Sequence, residues 1–147
     1  MSLIRVDFYL VASTEPDAHW LVACRLIEKV YSMGHKIYVH CNNQQDAENL
    51  DELLWTFRDD SFIPHNLQGE GPEPPPPVQI GHGNSPRGFN DVLLNMAADI
   101  PPFHTKFRRI LEVVSYLEAE KEQSRIHYKY YKSRDYDLQT HAIEDNS

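Results

Sequence analysis

The first 57 residues alternate between short apolar runs and longer amphipathic runs. The apolar runs, residues 5–11 (RVDFYLV) and 36–41 (KIYVHC), have the length and composition of buried strands. A longer run follows each of them, and in the first one Trp20, Cys24 and Ile27 recur at the spacing of a helix that packs on one side. This order of strand, helix, strand and helix, with short connections, predicts an α/β fold on a mostly parallel sheet.

Helix boundaries are also predicted from local chemistry. Thr14 can cap the first helix and Pro16 fits its first turn, whereas Gly34 suits its end. The pair Asn42-Asn43 predicts the start of the second helix, whose apolar positions run to Phe57.

The second half of the chain carries weaker signals. Residues 58–88 include the four prolines 74–77, so we expect them to be irregular apart from a strand at 78–80. Further predicted elements are strands at 91–96 and 109–114 and a helix at about 117–134. We therefore predict a single three-layer α/β domain over residues 1–140 and a polar tail over 141–147.

Charge and composition exclude several classes of protein. The 147 residues carry a formal net charge of -8, which argues against a surface built as a whole to bind nucleic-acid phosphates. No apolar run approaches the roughly 18 residues of a membrane span, so we expect no membrane insertion. With two cysteines and no signal peptide, we expect a cytoplasmic protein.

The motifs of enzymes and cofactor sites are missing from the sequence. The first strand-to-helix joint has no glycine and places Glu15 where a phosphate would lie, so the fold is predicted to be Rossmann-like without a nucleotide site. Eight histidines occur without the spacing of a metal motif, and we predict no metal, no cofactor and no catalytic residue. One alternative stays open: an enzyme or a binder of small ligands or metals at His40 and Cys41, although neighbours on a strand point to opposite faces.

The last predicted helix carries a stripe of positive charge. At about 100° per residue, four cations and one tyrosine fall within an arc of about 100°: Lys121, Arg125, Tyr128, Lys129 and Lys132. We call these five residues the cationic stripe. Ile126 and Tyr130 lie roughly opposite, and we expect them to pack on the sheet.

Two interpretations of the cationic stripe remain at this point. It can be a solvated helix face, with Glu118 and Glu122 as local ion-pair partners. It can also be a docking surface for an acidic peptide or a free carboxylate, in which Arg125 forms a bidentate pair and Tyr128 forms an aromatic wall.

A second candidate surface lies in residues 55–67, which we expect to be mostly irregular. Its large apolar residues are Trp55, Phe62, Ile63 and Leu67. Such residues either fold back onto the core or form a patch that binds another protein.

The same segment carries a long, ordered motif. Leu54-Trp55, residues 61–67 (SFIPHNL) and residues 69–72 (GEGP) together resemble the signature of the chi subunit family of bacterial DNA polymerase III. The resemblance covers nearly the whole chain and includes residues 112–114 (EVV) and 128–131 (YKYY).

The resemblance implies a function without catalysis. Members of the family are accessory subunits of the clamp-loader assembly, which bind the C-terminal tail of single-stranded DNA-binding protein (SSB) and a small subunit called psi. They thereby link the replicase to SSB-coated template, so contact with nucleic acid is indirect. Direct binding of single-stranded DNA is a weaker possibility, because the net charge opposes it.

The resemblance also implies two sets of site residues. The tail-binding positions fall on four members of the cationic stripe, Lys121, Arg125, Tyr128 and Lys129, and we add Lys132 from the helical spacing. The psi-binding positions fall on Trp55, Phe62, Pro64 and His65, with Ile63 between them. An SSB tail of this kind ends in acidic residues followed by Ile-Pro-Phe and a free carboxylate.

Overall fold

The computed structural model describes residues 4–60, 62–71 and 74–143. These residues form seven strands, three α-helices and a 3₁₀ helix at Pro102–Lys106. The strands are β1 (Arg5–Val11), β2 (Ile37–His40), β3 (His65–Leu67), β4 (Val78–Gly81), β5 (Val92–Asn95), β6 (Arg109–Val114) and β7 (Asp137–Ile143). The helices are α1 (Ala18–Ser32), α2 (Gln44–Thr56) and α3 (Glu118–Ser133).

All seven strands belong to one sheet, in the order β3-β4-β2-β5-β6-β1-β7. Every neighbouring pair is parallel, so the carboxyl ends of the strands lie along one edge. The predicted α/β class with a mostly parallel central sheet is confirmed. Because β3 and β7 are the outermost strands, they lie about 29 Å apart across six strand spacings.

Helices cover both faces of the sheet. On one face, α1 and α2 pack against the larger core, in which Ile27, Leu50 and Val39 are almost fully buried. On the other face, Tyr131 of α3 packs with Phe103 of the 3₁₀ helix in a second core. The result is a three-layer arrangement, as the sequence predicts. Within the described residues, no helix has both the length and the apolar character needed to cross a bilayer.

Several predicted boundaries are confirmed, and the start of α1 is not. The Asn43 side chain caps α2 by accepting a 2.8 Å hydrogen bond from the Asp46 N–H, and Gly34 follows α1 with a φ of 85°. Thr14 does not cap α1, because this helix begins at Ala18, after Asp17 in the left-handed region (φ 64°).

Two strands are missing from the sequence-based assignment. His65–Leu67 forms β3 within the segment that we predicted to be irregular, and Trp55 lies in the last turn of α2, within the helix predicted to run to Phe57. β7 continues through Ile143, so the predicted domain boundary at residue 140 falls inside a strand.

Residues 144–147 of the predicted tail, together with Ser61 and Pro72 of the signature motif, lie outside the described residues.

The buried face of α3 also differs from the prediction. Ile126 and Tyr130 are 53% and 36% exposed, whereas His127 and Tyr131 are buried against the sheet. The assignment from the sequence is wrong because it took apolar side chains as the packing face. His127 is polar, yet its two ring nitrogens find partners in the interior, at Glu112 and Ala98.

Candidate functional site

An apolar cavity of about 580 Å³ lies beneath α3, at the carboxyl ends of β1, β6 and β7. We call it the α3–β7 cavity. Its walls include the side chains of Phe8, Leu10, Val114 and Ala142, and its rim includes Lys121, Arg125 and Tyr128. An apolar floor with a few convergent cations is typical of a site for an apolar group that carries a carboxylate.

The parallel pairing of β1 with β7 builds the floor of the cavity. In this register Phe8 lies beside Thr140 and Leu10 lies beside Ala142. Because successive side chains alternate between faces, these four side chains point to the same face as α3. The ring of Tyr128 packs 5.5 Å from that of Phe8, so the helix closes one side of the cavity.

The cationic stripe leads away from the cavity along α3. Lys121 and Arg125 lie at the rim, whereas Lys129 and Lys132 are exposed farther along the helix. In a crossover between parallel strands the helix runs opposite to the strands, so the stripe extends from the carboxyl end of the sheet toward its amino end. Its length from residue 121 to residue 132 is about 16 Å.

Two glutamates of the same helix hold Arg125. Its Nη1 lies 2.7 Å from Glu122 Oε2 and its Nη2 lies 3.7 Å from Glu118 Oε1. The hydrogen bond that Arg125 donates to Glu122, together with the two negative charges, raises the pKa of the guanidinium. These exposed pairs match the interpretation of a solvated helix face, yet they are weak enough in water for another carboxylate to replace them. The adjacent apolar cavity favours the docking interpretation.

A buried polar network fixes α3 on the sheet. The Glu112 carboxylate accepts hydrogen bonds from the Asn95 side chain (3.1 Å) and from the Tyr131 hydroxyl (2.6 Å). His127 Nδ1 lies 3.0 Å from the same carboxylate, and Nε2 lies 2.7 Å from the Ala98 carbonyl oxygen. Both ring nitrogens face acceptors, an arrangement that favours the doubly protonated imidazolium, which can donate from both.

The pKa of His127 follows from this geometry. Burial alone lowers it, but the hydrogen bond and negative charge of Glu112, together with the Ala98 carbonyl, outweigh burial and raise the pKa. Sequence reasoning missed this network. The EVV and YKYY motifs contain Glu112 and Tyr131, but only the fold shows that they bond to each other.

The predicted psi-binding residues divide into exposed and buried ones. Trp55 and Phe62 are 49% and 70% exposed, and their rings lie 5.8 Å apart. Pro64 is half-buried. Ile63 and His65 are buried: Ile63 packs into the larger core, and His65 Nδ1 donates to the Ile63 carbonyl oxygen at 2.7 Å. The exposed part of the predicted psi-binding surface therefore consists of two aromatic rings, next to residues that are buried in the fold.

The two predicted sites lie on opposite edges of the sheet. Trp55 is on α2, which packs against β3, whereas the cationic stripe lies beside β7. The fold brings together the members of each set but does not bring the two sets together.

The structure gives no support to the alternative site at His40 and Cys41. Cys41 points into the core beneath α1 and α2, whereas His40 lies on the other face with its ring 5.3 Å from that of Phe103. Burial raises the pKa of the Cys41 thiol to about 12, which makes it a poor nucleophile. The described part of the chain holds no cluster of three metal-ligating side chains.

A smaller cavity of about 360 Å³ occupies the place where many α/β folds bind nucleotides, at the carboxyl ends of β5 and β6. Carboxylates of Asp46, Glu112 and Glu120 line it. His127 also lines this cavity and is paired with Glu112, so the carboxylates that oppose the binding of phosphate there are those of Asp46 and Glu120.

Comparison with known proteins identifies sequence relatives along nearly the whole chain. A family model described as "DNA polymerase III chi subunit, HolC" matches residues 3–139. A protein of Pseudomonas aeruginosa named DNA polymerase III subunit chi is 38% identical over 141 residues, which are 96% of this chain and 98% of the relative. Proteins of the same name from Haemophilus influenzae and Escherichia coli are 33% and 31% identical, over 83% and 81% of this chain and 85% and 82% of their own lengths.

Among solved structures, the crystal structure of T4 UvsW superposes with a TM-score of 0.64. It covers 96% of this chain and 41% of UvsW, at 7% sequence identity. At that identity the likeness shows a shared α/β fold and nothing about function.

Proposed function

The chain belongs to the chi subunit family of DNA polymerase III, and we propose that it docks the replicase onto the C-terminal tail of SSB. Family membership supports the coarser statement directly: this is an accessory, non-catalytic subunit of the replicase, with a role in DNA replication. We also propose a cytoplasmic location, because bacterial replication takes place there.

The observation that carries the proposal is the α3–β7 cavity with cations at its rim. The terminal phenylalanine of the SSB tail would enter the apolar cavity. Its free carboxylate would pair with Lys121 or Arg125, and the acidic residues upstream would lie along Lys129 and Lys132. A chain with a net charge of -8 would repel such an acidic tail over most of its surface, so the cationic stripe also selects the docking place.

The expected affinity is modest. Burying one phenylalanine side chain contributes about 1.5–3 kcal/mol, and exposed ion pairs add about 0–1 kcal/mol each. Association also costs translational and rotational freedom. These contributions together predict a modest affinity. Because the ion pairs are exposed, we also expect binding to weaken as the salt concentration rises.

The test uses full-length SSB and two bulky substitutions on one strand. Ala142→Trp fills the α3–β7 cavity, whereas Gln139→Trp places the same bulk on the opposite face of β7. We expect Ala142→Trp to reduce SSB binding at least tenfold and Gln139→Trp to leave it nearly unchanged. Equal binding by both variants would refute docking in this cavity.

The second part of the proposal concerns psi, in organisms that have one. The exposed pair Trp55 and Phe62 supports a protein-binding surface, with Pro64 beside it and Ile63 and His65 as its buried base. Through psi the chain would reach the clamp loader, and through SSB it would reach single-stranded template without binding nucleic acid itself.

Because the two surfaces lie at opposite edges of the sheet, psi and the SSB tail should be able to bind to the chain at the same time. A saturating amount of tail peptide should leave the affinity for psi unchanged within about twofold. Displacement of psi by the peptide would contradict the assignment of separate surfaces.

A further inference from the structure

The outer edge of β7 has no partner strand among the described residues. β7 pairs with β1 alone, and the Asp137 N–H donates to the Ile4 carbonyl oxygen at 3.0 Å. Backbone groups of successive residues point to alternate sides of a strand. Residues 137, 139, 141 and 143 therefore bond to β1, and the N–H and C=O groups of Leu138, Thr140 and Ala142 point outward.

This edge lacks the usual protection against pairing. Proteins block long exposed edges with lysine, proline or a bulge, or cover them with another element. The seven residues of β7 contain neither lysine nor proline, and Thr140 and Ala142 are exposed. An open edge of this kind can accept an added strand.

The cationic stripe lies on the same side of α3 as this open edge. Tyr128, Arg125 and Lys121 border the α3–β7 cavity together with Thr140 and Ala142 of β7. The other side of α3, with Gln123 and His127, borders the smaller cavity at β5 and β6. A peptide that follows the stripe from Lys132 to the cavity therefore runs beside β7.

The chemistry of the peptide sets its direction. If its terminal carboxylate lies at the cavity and its acidic residues lie toward Lys132, its chain runs from the amino end of the sheet to the carboxyl end. That is the direction of β7 itself. The stripe is about 16 Å long, which matches about five residues of extended chain.

We propose that the acidic tail binds as an eighth strand, parallel to β7, with its terminal aromatic side chain in the α3–β7 cavity. This inference rests on the proposed function and adds backbone pairing to it. We place the phenylalanine of Asp-Ile-Pro-Phe level with Ala142. In this register the proline carbonyl accepts from the Ala142 N–H, and the aspartate carbonyl accepts from the Thr140 N–H. The aspartate N–H donates to the Leu138 carbonyl, and the carbonyl of the residue two positions before the aspartate accepts from the Leu138 N–H. The proline has no N–H, so one possible bond is not made.

Amide hydrogen exchange, measured by NMR on the full chain with and without the free-acid peptide, tests this pairing. We expect exchange at Leu138, Thr140 and Ala142 to slow at least tenfold on saturation with peptide. Gln139 and His141 are internal controls, because their amides already bond to β1 and should change less.

The outcomes separate the two proposals. Saturable binding without slower exchange at the three outward amides would overturn the eighth strand and leave the proposed function standing. Failure of the peptide to bind at all would overturn both. Protection that appears without peptide and grows with protein concentration would identify a second copy of the chain as the occupant, and would also overturn this inference.

Modified peptides give an independent readout. N-methylation of the aspartate removes the donor to Leu138, whereas N-methylation of the neighbouring isoleucine alters an amide that points away from β7. We expect only the first change to weaken binding, by about fivefold to tenfold. Equal effects of the two changes would contradict the pairing.

Discussion

The hydroxyl of Tyr131 on α3 donates a 2.6 Å hydrogen bond to Glu112 Oε2 on β6, in the protein interior. His127, one turn earlier on the helix, faces the other oxygen of the same carboxylate at 3.0 Å. These contacts fix the rotation of α3 about its axis. Since the cationic stripe and the rim of the α3–β7 cavity belong to this helix, the buried network positions the proposed tail-binding site.

Removing the Tyr131 hydroxyl should lower the stability of the fold while the aromatic ring stays in place. Tyr131→Phe leaves one oxygen of a buried carboxylate with one donor fewer, and we expect it to lower the free energy of unfolding by about 1.5–3 kcal/mol. Urea denaturation measures this change. The control is Tyr116→Phe, at a tyrosine that is 38% exposed, where we expect a change of less than about 0.5 kcal/mol. Equal stabilities of the two variants would show that the hydrogen bond contributes nothing.

The pair of His127 and Glu112 predicts how stability depends on pH. The pKa of His127 is raised in the folded state, so its stabilising contribution is complete below the unfolded pKa of about 6.5. That contribution is lost as pH rises through the folded pKa. We therefore expect the stability difference between the native protein and His127→Gln to be largest below about pH 6.5 and to shrink as the pH rises through the folded pKa. A difference that grows with pH would contradict a charged His127.

The signature segment should separate binding residues from structural ones. Ile63→Ala creates a cavity in the larger core, and we expect it to cost about 2–5 kcal/mol of stability. Phe62→Ala removes a ring that is 70% exposed, so it should cost less than about 1 kcal/mol and yet reduce binding to psi at least tenfold. Urea denaturation and a psi-binding titration check both expectations. Met33→Ala, at another exposed apolar side chain, is the control for psi binding.

Glu122 should compete with the SSB tail for Arg125. Glu122→Gln removes the negative charge that lies 2.7 Å from Arg125 Nη1, which frees the guanidinium for the carboxylate of a ligand. We expect the affinity for the tail peptide to rise about twofold to fivefold. Glu48→Gln, on the exposed side of α2, is the matched control for the change in net charge. An unchanged affinity for Glu122→Gln would mean that Arg125 does not contact the tail.

Local periodicity was enough to predict most of the fold. The spacing of apolar residues located α1, α2, β1 and β2, and the spacing of cations located the stripe on α3. β3 and β7 were missed because both are edge strands, and β7 has exposed residues on both faces, so the alternation of apolar and polar residues that marks a strand is weak.

The candidate site itself depends on contacts between distant parts of the chain. The cavity joins Phe8 and Leu10 of β1 to Ala142 of β7, more than a hundred positions later, and no local pattern reports that contact. The buried face of α3 was misassigned for a related reason. A polar residue such as His127 is expected at the surface, and its burial is explained only by its partner Glu112 on another element.

Docking of the SSB tail on α3 is tested by fluorescence anisotropy of a labelled peptide that ends in Asp-Ile-Pro-Phe. It compares the free carboxylate with its amide, and Arg125→Ala with Arg87→Ala, which removes an exposed cation outside the stripe. We expect saturable binding of the free acid that weakens with salt, falls at least tenfold on amidation or in Arg125→Ala, and persists in Arg87→Ala. Equal binding of the free acid and the amide, or no binding at high protein concentration, would contradict docking of the tail on α3.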